Sequence, residues 1–152
     1  MILPRMIVTL ILLILACDQC TKLLCARYLT LHQSLPVVKG FFHLTLVHNR
    51  GAAFGIGKGH VLFFVFTSLC AIVFIVLNFR KSTAFVRCSL ALILAGAVGN
   101  LIDRLLFGYV VDFLDLRIWP VFNVADSAIT VGALFLVYRI FKDSRSPAAG
   151  TS

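Results

Sequence analysis

The sequence has no glutamate, and all six of its acidic residues are aspartates. Charged residues of either sign make up only 13% of the chain. With 61% of residues hydrophobic and a mean hydropathy of +1.02, so little charge excludes a soluble globular enzyme, a disordered tail and a collagen-like fibre. No internal repeat or low-complexity tract is present. Ser–His and Cys–His arrangements are also missing, because His32, His43, His48 and His60 all gather in one loop or at its edge. No glycine motif leads into a helix with a phosphate-binding lysine; Lys58 follows glycines in the wrong context. Cys17, Cys20 and Cys25 have no histidine near them, and Cys70 and Cys88 are far off in sequence. The cysteines therefore read as small buried side chains rather than metal ligands.

What is present belongs in a bilayer. Four apolar stretches, at about 4–26, 60–79, 85–107 and 122–141, are each long enough to span, given about 20 residues per crossing. The expected fold is an all-α integral membrane protein, one four-span domain over 1–152, with an outer loop at 27–59. Phe42, Leu44 and Leu46 alternate with His43, Thr45 and Val47, a period of two that predicts a strand. A second short strand is expected at Tyr109 to Phe113, so the two pieces form a small extracytoplasmic β-cradle. Lys and Arg number 14 against the 6 acids, a net charge of +8. These cations cluster at the ends of apolar runs, which points to membrane orientation and away from nucleic acid. Arg5, Arg80, Lys81, Arg87, Arg139, Lys142 and Arg145 fall on the side of the termini, Arg27, Lys39, Arg50, Lys58 and Arg117 on the other. Both termini are thus expected in the cytoplasm.

Five of the aspartates lie in or beside apolar stretches, where a solubilising role is excluded. Asp18 and Lys22 are four apart on one helix face and can pair. Asn100, Asp103 and Arg104 share a face of the third span, and Asn123 and Asp126 open the fourth. All fall toward the same outer end, so one polar cluster is the economical arrangement, and an intramembrane ionisable cluster is a functional site by default. Salt bridges that lock helices together account for Asp103–Arg104 or Asp18–Lys22. They leave Asp112 and Asp126 without a cation of their own. Two such carboxylates held close share one proton, and the pair can activate water against an amide. On chemistry alone Asp115, three residues after Asp112, could take its place.

Four segments carry a resemblance. Asp18-Gln19-Cys20-Thr21-Lys22, Asn49-Arg50-Gly51-Ala52-Ala53-Phe54, Gly99-Asn100-Leu101-Ile102-Asp103-Arg104 with Val110-Val111-Asp112-Phe113, and Phe122-Asn123-Val124-Ala125-Asp126-Ser127 together resemble the lipoprotein signal peptidase (signal peptidase II) family. They occur in the family's order across most of the chain. The resemblance implies an aspartic endopeptidase of the bacterial inner membrane that removes signal peptides from prolipoproteins, cutting before a diacylglyceryl-modified cysteine. It implies Asp112 and Asp126 as catalytic pair, favouring Asp112 over Asp115. Asn100, Asp103, Arg104 and Asn123 would support the pair or contact substrate, Asn49 and Gly51 would hold substrate from the loop side, and Asp18 and Lys22 would stabilise the frame. Membrane lipid and globomycin-type inhibitors are the further partners implied, with no metal or organic cofactor and an active site toward the extracytoplasmic face. The alternative is a proton or ion carrier with an intramembrane Asp relay. Such sites lie near the midplane on broken helices, whereas these acids bunch at one end and the second span has none. A structural four-helix scaffold is a third reading, in which the Asp pair would be replaceable.

Overall fold

The computed structural model describes residues 2–51 and 61–145. Its elements run α1 (Ile2–Tyr28), β1 (Ser34–Val38), β2 (Phe42–Asn49), α2 (Val61–Phe79), α3 (Ala84–Phe107), β3 (Val110–Asp115) and α4 (Val124–Ser144). All four helices are long and apolar enough to cross a membrane. The shortest, α2 with 19 residues, reaches about 28 Å at about 1.5 Å per residue, close to the hydrocarbon thickness of about 30 Å. Of the expected outer loop, Gly55, Gly57 and Gly59 and the Ala52-Ala53-Phe54 segment lie outside the described residues.

The packing is inverted relative to a soluble protein. Large apolar side chains such as Leu62, Phe66, Leu77 and Leu106 are exposed, while Asp18, Asp103 and Asp112 are buried. An apolar exterior of this extent is stable only against lipid. Helix α3 is the hub and packs on all three other helices. Small residues make its approach to α4 possible. A Cβ on Gly96 would collide with the Ala125 carbonyl and Ile129, and one on Gly132 would come within 2.7 Å of the Ser89 carbonyl. Without a hydrophobic drive between helices inside lipid, such close backbone contact supplies the attraction.

The cradle holds three strands, not two. The sheet is antiparallel in the order β1-β2-β3, and β1, with every residue exposed, carried no burial period by which the sequence could announce it. Pairing between β2 and β3 changes register between Leu44↔Leu114 and Val47↔Asp112, so β2 contains one extra residue there, a bulge. Directly opposed residues of an antiparallel pair share a face, and Asn49 opposes Val110. Asn49 therefore lies on the face of Val110 and Asp112. Were the same strand paired without a bulge, on the register of Leu44↔Leu114, His48 would oppose Val110 instead.

Two turns deliver the remaining parts. Gly108 ends α3 at φ 74°, its N–H donating to the Arg104 carbonyl, the left-handed helix stop that glycine adopts without strain. After β3 the chain turns back through Arg117, at φ 65°, and Phe122 pairs with Leu114 through both backbone groups. This return places Asn123 beside Asp112, at the start of α4.

Candidate active site

The C-terminal parts of α1 and α3 and the N-terminus of α4 meet at the end of the bundle that carries the sheet. There α3 and α4, with β2, β3 and the connection before α4, line a cavity of about 280 Å³. Of the residues singled out in the sequence, Asn49, Gly51, Asn100, Arg104, Asp112 and Asp126 line it. Asp18, Lys22, Asp103 and Asn123 stand behind its wall, all buried. Trp119 and Phe122 also line the cavity and were not foreseen; they come from the connection before α4, which has no periodicity to read.

Behind the wall is a saturated charge cluster. The Lys22 ammonium donates to Asp18 Oδ2 at 2.8 Å, Asp103 Oδ2 at 3.0 Å and Asn100 Oδ1 at 3.0 Å, using all three of its protons. Asp103 thus pairs with Lys22 and not with Arg104, because neighbouring helical residues point about 100° apart. Asp18 Oδ1 accepts the Ala125 N–H at 2.9 Å, so a carboxylate of α1 caps the positive end of α4. Gly99 keeps the route open, since a Cβ there would come within 2.6 Å of Asp18 Oδ2. Breaking a buried arrangement of this kind from one side leaves an uncompensated charge, at a cost of about 3–5 kcal/mol.

The cluster also dictates which way the site's amides point. Asn100 must turn its oxygen to Lys22, which can only donate, and so directs its Nδ2 at Asp126 Oδ1, 2.7 Å away. Asn123 is the N-cap of α4; its oxygen accepts the Asp126 N–H at 2.8 Å, and its Nδ2 donates to Asp112 Oδ1 at 2.7 Å. Asn49 accepts the Gly51 N–H at 3.0 Å and donates to Asp112 Oδ2 at 2.8 Å. Three obligate donors thereby orient three amides, and each amide presents its NH₂ to Asp112 or Asp126. In the capping box, Asp126 Oδ2 also accepts the Asn123 N–H at 3.3 Å.

No ion pair reaches Asp112 or Asp126 among the described residues. Burial, reinforced by the charge of Asp126, pushes the Asp112 carboxyl up to about 7, against the pull of the Asn49 and Asn123 hydrogen bonds and of Lys22. Arg104, half-buried, lies over the Phe64 ring at 5.5 Å and donates to the Asn100 carbonyl at 3.4 Å. Asp115 does not compete with Asp112. Three residues along a strand it faces the other way, where Thr45 and Arg117 bond to its carboxylate. Burial opposes its ionisation, but the bonds from Thr45 and Arg117 and the Arg117 charge hold the carboxyl below its ordinary value. His48 leaves the site entirely and stacks on Tyr109, ring centres 3.9 Å apart. No group of three or more potential metal ligands occurs among the described residues. The arrangement suits proton transfer at two neighbouring carboxyls beside a cavity of mixed polar and apolar lining.

Comparison with known proteins agrees with this geometry. The family described as Signal peptidase (SPase) II matches residues 10–142. A lipoprotein signal peptidase of Halothermothrix orenii is 43% identical over 142 residues, covering 92% of this chain and 98% of that protein. One from Moorella thermoacetica is 50% identical over 132 residues, covering 85% and 88% respectively. A bacterial membrane enzyme solved by the in meso method at 2.3 Å superposes with a TM-score of 0.92 at 32% identity, over 97% of this chain and 94% of that one. Matched along nearly its whole length and in its fold, the chain belongs to the signal peptidase II family.

Proposed function

We propose that the protein is a membrane-embedded aspartic endopeptidase that removes signal peptides from prolipoproteins, cutting before the diacylglyceryl-modified cysteine, with Asp112 and Asp126 as its catalytic pair. The observation that carries this reading is the pair itself. Its two carboxyls line one cavity, are held by asparagine amides and not by cations, and include one whose acidity lies near neutrality. Such a pair retains one proton at neutral pH. The ionised member takes a proton from water as the water oxygen attacks the scissile carbonyl, while the protonated member gives its proton to the carbonyl oxygen. Return of a proton to the amide nitrogen then releases the signal peptide. No step calls for a metal or organic cofactor.

Arg104, Asn49 and Gly51 line the same cavity, and in this reading Arg104 meets substrate backbone oxygens while Asn49 and Gly51 hold the substrate from the loop side. In this reading the termini are cytoplasmic and the cavity lies toward the extracytoplasmic surface. A substrate cysteine anchored by its diacylglycerol then presents the scissile bond at the depth of the pair. Globomycin-type cyclic peptides would compete for the same cavity, and nucleic acid has no part. A carrier is not favoured: the acids gather at one end of the bundle and α2 has none.

The test is cleavage of a diacylglyceryl-modified prolipoprotein peptide by the purified protein in detergent. Asp112→Asn and Asp126→Asn are each expected to abolish it while retaining a cooperative melt. Undiminished cleavage by either folded variant would refute the pair, and no cleavage by the folded wild type would refute the activity.

A further inference from the structure

We propose that Gln19 is a positioning residue for the reacting pair: its amide bridges the carboxylates of Asp18 and Asp103, which leaves Lys22 one proton with which to hold Asn100, and through Asn100 the carboxyl of Asp126. The inference rests on the peptidase reading above. Gln19 Nε2 lies 3.0 Å from Asp18 Oδ2 and 3.1 Å from Asp103 Oδ1, with the Gly99 carbonyl further off at 3.3 Å. Two N–H groups suffice for the two nearer acceptors. Lys22 bridges the same two carboxylates, sharing Asp18 Oδ2 with Gln19 and taking the other oxygen of Asp103, Oδ2.

The count of donors gives Gln19 its importance. Two buried carboxylates compete for one ammonium, and Asn100 is the third and only neutral acceptor on it. Remove the glutamine amide, and each carboxylate loses a neutral donor and draws harder on Lys22. The uncharged acceptor is the one Lys22 gives up first, because bonds to charged partners are the stronger. Asn100 then keeps on its oxygen only the uncharged donor Asn123 Nδ2, at 3.1 Å, and its NH₂ is held less firmly at Asp126. None of the residues that Gln19 bonds here, Asp18, Gly99 and Asp103, lines the cavity; Gln19 lines a separate groove with Leu23, Ala26 and Leu106.

The charged groups around the pair are Asp18 and Lys22 from α1 and Asp103 and Arg104 from α3. Strand β2 offers the uncharged Asn49, with Arg50 following it, and α2 carries no charged residue. Lys22 already acts on Asp112 through space, so a change in its allegiance is felt at both carboxyls. Weakening the donor at Asp126 favours the protonated form, which moves the pH profile of cleavage toward alkali.

The test compares the full-length protein with Gln19→Met, Gln19→Glu and Gln19→Asn in detergent, using the diacylglyceryl-modified peptide. Gln19→Met is expected to lower kcat on the order of tenfold with KM unchanged, and to move the kcat/KM profile to higher pH. Gln19→Glu adds a competing negative charge and moves it further. Gln19→Asn keeps an amide that reaches one carboxylate, and so gives a smaller shift. Isotope-edited infrared titration of the aspartate carboxyl bands, run on the same proteins without substrate, reads the effect independently of activity. A carboxyl titration and pH profile identical to wild type in the folded Met and Glu variants would overturn the role, as would a rise in KM alone. Should the wild type fail to cleave while the infrared titration still shifts in the variants, the peptidase reading falls and the coupling of Gln19 to the pair stands.

Discussion

In the proposed mechanism Asp112 has to be neutral part of the time, at a cost to the stability of the fold. Its carboxyl, pushed to about 7 chiefly by burial and then by Asp126, binds protons in the folded state that the unfolded chain has already released. Stability from this group is therefore fully present below its ordinary value of 3.8 and is lost as pH rises through about 7. Melting temperatures of the wild type should fall between pH 4 and 8, and Asp112→Asn should flatten that fall; a parallel decline in both proteins would contradict the assignment. The same proton governs chemistry. Cleavage should decrease as pH rises through about 7, where the pair loses its last proton, and a rate still climbing beyond that value would exclude Asp112 as the group titrating. Asn123 illustrates how much one side chain carries: it caps α4 and supplies Asp112 with an amide. Asn123→Ala removes both, and about 1–3 kcal/mol of stability should go with the cap and the unsatisfied carboxylate. Chemical denaturation in detergent, beside the cleavage assay, checks that both properties fall together.

Each element of the bundle was announced by its hydropathy, because a lipid-facing helix has no polar face to disguise it. Much of the cluster was legible too: Asp18 with Lys22, Asn100 with Asp103, and Asn123 with Asp126 all follow from helical spacing. What spacing did not reveal is how these pairs join. Lys22 reaches across to Asp103, an interhelical bond that depends on how far α1 and α3 approach, and the helix surface alone gave Asp103 the wrong partner in Arg104. Gln19 lies in view beside Asp18, but its bond to Asp103 crosses to another helix and has no signature in the spacing. The cap formed by Asn123 and Asp126 had a sequence signature, an amide three residues before a carboxylate. The bulge in β2 had none, yet it decides whether Asn49 or His48 faces Asp112. Inserting one alanine between Val47 and His48 should move His48 opposite Val110 in place of Asn49, and with that cleavage should be lost while the four helices persist by circular dichroism. Retained cleavage in an insertion variant of intact helicity would show that the face of Asn49 does not matter to the reaction. At the α3–α4 contact, Gly96→Val should destabilise by several kcal/mol, as its side chain meets the Ala125 carbonyl. A melting temperature equal to wild type would mean the helices can part without loss.

The whole molecule has two chemically different ends. One carries the sheet, the cavity and the exposed Trp119 and Tyr28, the side chains that settle at a membrane–water boundary. The other carries the α2–α3 turn and the C-terminal end of α4, with Arg80, Lys81, Arg87, Arg139, Lys142 and Arg145. Short cationic connections of this kind tend to stay on the cytoplasmic side during insertion, and the proposed orientation puts the sheet at the opposite surface. The difference in charge is modest, because Arg27, Lys39, Arg50 and Arg117 stand at the sheet end. Orientation is therefore worth a direct measurement. In a background with the five free cysteines replaced, Ser34→Cys on the exposed strand β1 should react with an impermeant maleimide added to intact spheroplasts. Arg145→Cys, just beyond α4, should react only after permeabilisation. The opposite pattern would put the cavity on the cytoplasmic side, away from a substrate cysteine held at the outer surface, and the proposed cleavage would lose its geometry. Labelling of both sites in intact spheroplasts would indicate a mixed population, which a protein with a single working face should not show. Because Ser34 and Arg145 are both exposed and outside the cluster, neither substitution disturbs the carboxyl pair, and each variant's cleavage rate should remain that of the parent.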